Sequence, residues 1–322
     1  MVHEATLEEK DAAIARLAAR LSGAYVLRVF QVTMETFGDI RTGLLAQVIH
    51  AANTAHLDPL TEAGRRLAGP DGILPDELRR PISVKRLAES TGLPFESTRR
   101  IVQRLIADGR CVRVEGGVIL PAVFLRRPEL ARLVIADLGY TRRFIRELQA
   151  VGLADAAATA WTLLPKETDE GALARSVARV AAGYWLRALH TLTETYGDIR
   201  SGILARAILI ANTAHLDTRL GDGWRYAAID GPPIPDELRK PISIARLAES
   251  LGVPYETMRA QAQRLVRAGV CRRVGGGLIV PEAVFETTAA INAALANIAD
   301  LRKLVRDLQR FGASLSPGED VS

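Results

Sequence analysis

Two short stretches of the chain carry side chains suited to hydrogen bonding with the edges of bases. With Thr98, Val102, Leu105 and Ile106 turned inward on a helix opened by Pro94, the residues left facing outward are Glu96, Ser97, Arg99, Arg100, Gln103 and Arg104. Arginine presents a forked donor, and glutamine a donor beside an acceptor, that match base edges in a DNA major groove. Ser97, near the helix start, brings backbone N–H groups within reach of a phosphate. Lys85, Arg86 and Arg113 flank this stretch and can neutralise neighbouring phosphates. A second stretch offers Arg246, Glu256, Thr257, Arg259, Gln263, Arg264, Arg272 and Arg273, with Ala260 standing where the first has Arg100.

Other chemistry is thinly supported. The chain has no Walker loop, no dinucleotide fingerprint, no HExxH and no GxSxG. Its five histidines do not cluster with a nucleophile, and its two cysteines have no zinc spacing. The expectation is therefore no catalytic residue, no metal and no cofactor. Glu35, Asp39 and Arg41 look catalytic but read better as a helix junction, with Asp39 as the cap. His56 and His215 recur in an Asn-Thr-Ala-His-Leu-Asp motif and, with Trp224, are candidate ligand residues. A histidine near a helix C-terminus is the plainer reading of that motif. Trp161, Trp185 and Trp224 are either core residues or the lining of an effector pocket. Cys111 and Cys271 occupy the same strand position, with Val112 and Val114 flanking the first; a redox switch would need an exposed thiol of depressed pKa, and small buried packing is the plainer reading.

A duplication must position these residues. Glu35–Arg41 reappears as 194–200, and 52–58 as 211–217. Between 76–121 and 236–281, 27 of 46 positions are identical. A repeat this long is a duplicated domain and not a solenoid unit. The boundaries expected from it are 1–152 for the first copy, 153–170 for a linker, 171–313 for the second copy and 314–322 for a disordered tail. Within one copy, apolar periodicity predicts helices over 12–36, from Asp39 to about Ala55, and over 122–152. Ser83 should cap a short helix ending near Ser90. Gly92 makes a turn before the second short helix, which stops at Gly109, and Gly116-Gly117 tips a two-stranded hairpin.

Helix, tight turn, helix and glycine-tipped hairpin together resemble a winged helix-turn-helix. The carriers are Leu87-Ala88-Glu89-Ser90-Thr91-Gly92-Leu93, its repeat Leu247-Ala248-Glu249-Ser250-Leu251-Gly252-Val253, and the run from Val102 through Leu105 to Gly109. The order of elements is similar to MarR-type and GntR-type transcription regulators, over about 46 residues in each copy. The resemblance implies a mainly α fold with small β-hairpin wings: two tandem winged helix-turn-helix domains with flanking packing helices, related by a pseudo-two-fold. It implies sequence-specific binding to double-stranded DNA, with one chain acting as a pseudo-dimer on two related half-sites about 34–36 Å apart.

Bulk properties are compatible with this. Net charge is +5, with 48% hydrophobic and 25% charged residues, which suits a globular protein with a polyanionic partner. The first head is the more basic: 76–127 holds eleven Lys/Arg against six Asp/Glu, and 236–286 eight against six. It should grip DNA more strongly. The N-terminus lacks the pattern of a secretory signal and no apolar run spans a bilayer, so a cytoplasmic, nucleoid-associated regulator is expected. Further expected partners are RNA polymerase or a small-molecule effector, with the chain a monomer or a homodimer. A plasmid-type replication initiator with two winged helices is the nearest alternative, and a winged-helix protein-interaction module the next.

Overall fold

The computed structural model describes residues 6–57, 61, 71–155, 170–217 and 222–313. The linker expected over 153–170, the tail expected over 314–322 and Trp161 lie largely or wholly outside them. The described chain is mainly helical with two antiparallel two-stranded hairpins. Its elements run α1 (Leu7–Ala12), α2 (Ala15–Phe37), α3 (Ile40–Thr54), α4 (Val84–Thr91), α5 (Phe95–Ala107), β1 (Val112–Val114), β2 (Gly117–Ile119), α6 (Ala122–Leu125) and α7 (Pro128–Ala150). The second series is α8 (Glu170–Tyr196), α9 (Ile199–Asp217), α10 (Asp222–Arg225), α11 (Ile244–Ser250), α12 (Tyr255–Arg267), β3 (Arg272–Val274), β4 (Gly277–Ile279) and α13 (Thr288–Ala313).

Repeat and compact unit are different partitions of this chain. Unit A comprises 32–186 with 302–322, and unit B comprises 1–31 with 187–301. In unit A, α3 packs on α4, α5 and β2. Leu45, Ile49, Leu87, Val102, Leu105, Cys111, Val118 and Leu120 are buried there. In unit B, Leu204, Ile208, Leu247, Met258, Ala262, Leu265, Cys271 and Leu278 form the matching cluster. Met258 takes the place of Thr98, and both are fully buried.

Local chemistry sets the element ends. Asp39 caps α3 by accepting from the backbone N–H groups of Arg41 and Thr42 at 3.0 and 3.1 Å. Ser83 caps α4 through the Arg86 N–H, and Ser243 caps α11 through that of Arg246, both at 3.3 Å. The helix expected over 12–36 is interrupted at Ala13–Ile14. The cause is long-range: the Ala12 carbonyl accepts from Ile229 N–H, and Arg16 N–H donates to the Ala227 carbonyl, each at 2.8 Å. A second interruption, at Arg126–Arg127, divides the helix expected over 122–152 into α6 and α7.

Each hairpin is fastened to its unit twice. Ile82 pairs with Val118 as a β-bridge, and Ile242 with Leu278. A Cβ on Gly117, whose φ is +153°, would lie 2.3 Å from the Ile82 carbonyl oxygen, so this glycine permits the approach. The second fastening is Asn53, fully buried near the end of α3. Its Nδ2 donates to the carbonyls of Arg80 at 2.8 Å and Val118 at 3.3 Å, and its Oδ1 accepts from Leu120 N–H at 3.0 Å. Asn212 repeats this with Lys240, Leu278 and Val280. Asn53→Ala would orphan a buried N–H and a buried carbonyl. Its expected cost is about 2–3 kcal/mol, read as a lower midpoint in urea with an unchanged slope.

Candidate nucleic-acid interface

The two short helices of each copy present one apolar and one polar face. On α5, Thr98, Ile101, Val102 and Leu105 are buried. Glu96, Arg100, Gln103 and Arg104 are exposed, and Ser97 and Arg99 are half-buried. Ile106 is only half-buried, and Ile101 takes up the inward position beside Val102. Lys85 and Arg86 on α4 and Arg113 on β1 are exposed. In the second copy, α12 exposes Glu256, Thr257, Arg259, Gln263 and Arg264; Arg246 on α11 and Arg272 and Arg273 on β3 are also exposed. Spacings of three and four residues bring α5's polar side chains onto one stripe, and likewise those of α12.

Several of these arginines already have intramolecular partners. Arg99 meets Glu96 at 2.6 Å, and Arg100 meets the same carboxylate at 3.3 Å. The Arg99 guanidinium, by hydrogen bond and charge, holds the Glu96 carboxyl down at about 2. Arg259 meets Glu256 at 2.7 Å. Arg104 reaches Asp39 Oδ2 at 3.4 Å and Thr42 Oγ1 at 3.2 Å. Arg272 meets Asp236 at 2.8 Å. Exposed pairs of this kind contribute about 0–1 kcal/mol each, so a phosphate or base edge can displace them.

Two exposed aromatics had no role in the sequence reading. Phe95 opens α5 with 52% of its surface exposed, and Tyr255 opens α12 with 48%. The available signal was an aromatic directly after proline in both copies. Asp76 and Asp236 tie down the segments after the hairpins, accepting from Ala122 N–H at 2.7 Å and Glu282 N–H at 2.9 Å.

Protein-family models, curated proteins and solved structures give no match to this chain. The functional reading therefore stands on the residues and their geometry.

The remaining candidates are scattered. His56, just beyond α3, and His215, in the last turn of α9, are half-buried. Trp224 is exposed on α10, and Trp185 is buried on α8. No group of three metal-ligating side chains occurs among the described residues. Cys111 and Cys271 are buried, and burial pushes both thiols up to about 11, away from reactivity. Among the described residues no helix is long and apolar enough to cross a membrane.

Proposed function

We propose that each copy is a winged helix-turn-helix head and that the chain is a sequence-specific regulator that binds double-stranded DNA. In this reading α5 and α12 enter the major groove, and the β1–β2 and β3–β4 hairpins are wings over the flanking phosphates. The observation that carries it is the doubled arrangement of helix, turn, helix and hairpin, with an exposed arginine–glutamine stripe on the second helix each time. Arg99, Arg100, Gln103, Arg259 and Gln263 are the base-reading candidates. Lys85, Arg86, Arg113, Arg246 and Arg273 are the phosphate contacts. Phe95 and Tyr255 suit apolar contact with a thymine methyl or a sugar.

Two heads on one chain address two related half-sites. They differ because α5 and α12 differ: Arg100 against Ala260, and Ala107 against Arg267. Once the first head is bound, the second acts at the high effective concentration of a tethered partner.

Selection from a random duplex library tests this, followed by titration of the winning duplex at several salt concentrations. The expected result is two related half-motifs and an affinity falling steeply with salt, with a log–log slope of about −0.9 per phosphate neutralised. A single half-motif would leave one reading head. No enrichment, with only weak salt-dependent binding, would overturn the reading in favour of a protein-interaction module.

A further inference from the structure

Unit B contains a cavity of about 330 Å³, within the range of small-molecule pockets. Its lining includes four arginines: Arg16, Arg20, Arg206 and Arg239. The one carboxylate in the lining, Asp300, is already paired with Arg187. Apolar lining comes from Val26, Leu192, Leu209, Val270 and the Phe285 ring, among others.

Backbone carbonyls hold part of each of these guanidinium groups. Arg16 Nη1 donates to the carbonyls of Ala228, at 2.7 Å, and Gly231, and its Nη2 donates to Phe285 O at 3.4 Å. Arg20 Nη1 donates to Tyr226 O at 3.3 Å, and Arg206 Nη1 to Ala19 O at 3.4 Å. Arg239, 5% exposed, donates from Nη2 to Ile234 O at 2.8 Å, and its guanidinium stacks 5.1 Å over the Phe285 ring. Its acidic partner Asp236, at 3.3 Å, is shared with Arg272. Arg239 Nη1 and Arg16 Nε are buried with no hydrogen-bond partner among the described residues. Arg16 and Arg239 thus converge at Phe285. Exposed Glu286 and Asp230 act on Arg16 only through charge. Buried cations with orphaned donors are costly unless an anion meets them.

The second copy has altered residues at this place. Leu209 stands where the first copy has the half-buried His50, and Arg206 where it has Gln47. A Cβ on Gly23 would lie 2.5 Å from Arg206 Cδ, and unit A has Ala182 at the position matching Gly23. Gly23 therefore makes room for the Arg206 side chain, and both line the cavity.

We propose that this cavity binds a small amphipathic anion, with a carboxylate or similar head on Arg16 and Arg239 and an apolar body against Val26, Leu192, Leu209 and Phe285. The site goes beyond duplex binding and does not rest on it. Ala268, Gly269 and Val270 also line it, so an occupant touches the chain where α12 ends.

Calorimetric titration of the full chain with octanoate and with its uncharged analogue octanamide is the test. Octanoate is expected to saturate one site per chain, with octanamide at least tenfold weaker. Arg16→Gln should reduce octanoate affinity at least tenfold and narrow that preference. Ala293→Phe, which fills the cavity from α13, should abolish binding; it carries the test if Arg16→Gln fails to fold. No saturable octanoate binding, equal affinity for octanamide, or unchanged binding in folded Ala293→Phe would each overturn the proposal. No nucleic acid is present, so this outcome is independent of whether the heads bind DNA.

Discussion

Replacing Arg99 and Arg100 together by alanine is expected to weaken binding to the selected duplex by roughly 100-fold, against roughly tenfold for Arg259→Ala. Two forked donors are lost from α5 in the first case, and one from α12 in the second. The carboxylates add to the difference. Glu96 is held by both Arg99 and Arg100, and Glu256 is paired with Arg259. Stripping the partners leaves a bare carboxylate facing the phosphates, which repels them. Fluorescence anisotropy at fixed salt reads the affinities. All three arginines lie on the polar faces of their helices, so unfolding free energies should stay within about 0.5 kcal/mol of wild type. Equal losses in the two cases, or no loss in either, would count against unequal heads.

The inequality is narrower than the charge balance of the sequence suggests. Much of the excess positive charge over 76–127 is engaged in packing. Arg110 stacks 5.8 Å over Phe37 and donates to Thr36 O. Arg127 lies 5.3 Å over Phe124, and Arg126 pairs with Asp71 at 2.8 Å. Arg79 is buried, donating to Leu74 O at 2.7 Å. On the helices themselves, α5 and α12 carry three arginines each, at different positions. The difference between the heads then lies in the arrangement of donors, and half-site preference should show it more than overall affinity does.

What was legible in the sequence was what local rules govern. Capping by Asp39 and Ser83, the Gly92 turn, the inward Thr98, Val102 and Leu105, and the hairpin at Gly116-Gly117 follow from residue type and short spacing. What was not legible depends on distant chain. The interruption at Ala13–Ile14 is made by residues 227–229, more than 200 positions away. Nor does periodicity indicate that 1–31 belongs with 187–301. The Asn-Thr-Ala-His motif drew attention to its histidine. The structural work belongs to its asparagine, whose three partners come from two other segments. The cavity in unit B was invisible for the same reason, because its arginines come from α2, α9 and the segment before α11.

The buried carboxylate of Asp137 gives the second large effect. It lies on α7 with Oδ1 unbonded among the described residues, and burial pushes it up to about 7. A carboxyl raised in the folded state contributes its full stability below the unfolded value, near 4. That stability is lost as pH rises through 7. The difference is up to about 4 kcal/mol, from 1.36 kcal/mol for each pH unit. Asp137→Asn removes the titration while keeping the shape. It should raise the melting temperature by roughly 5–10 °C at pH 8 and change it little at pH 4. The second copy already carries this residue: Asn297 stands at the matching position, accepting from Ser22 Oγ at 3.0 Å. In unit A the position matching Ser22 is Ala181, so no equivalent hydroxyl is supplied there. Thermal melts of both proteins at pH 4 and pH 8 decide the matter. A gain of equal size at both values would assign the effect to packing, and a loss at pH 8 would mean that the charged carboxylate is stabilised in unit A.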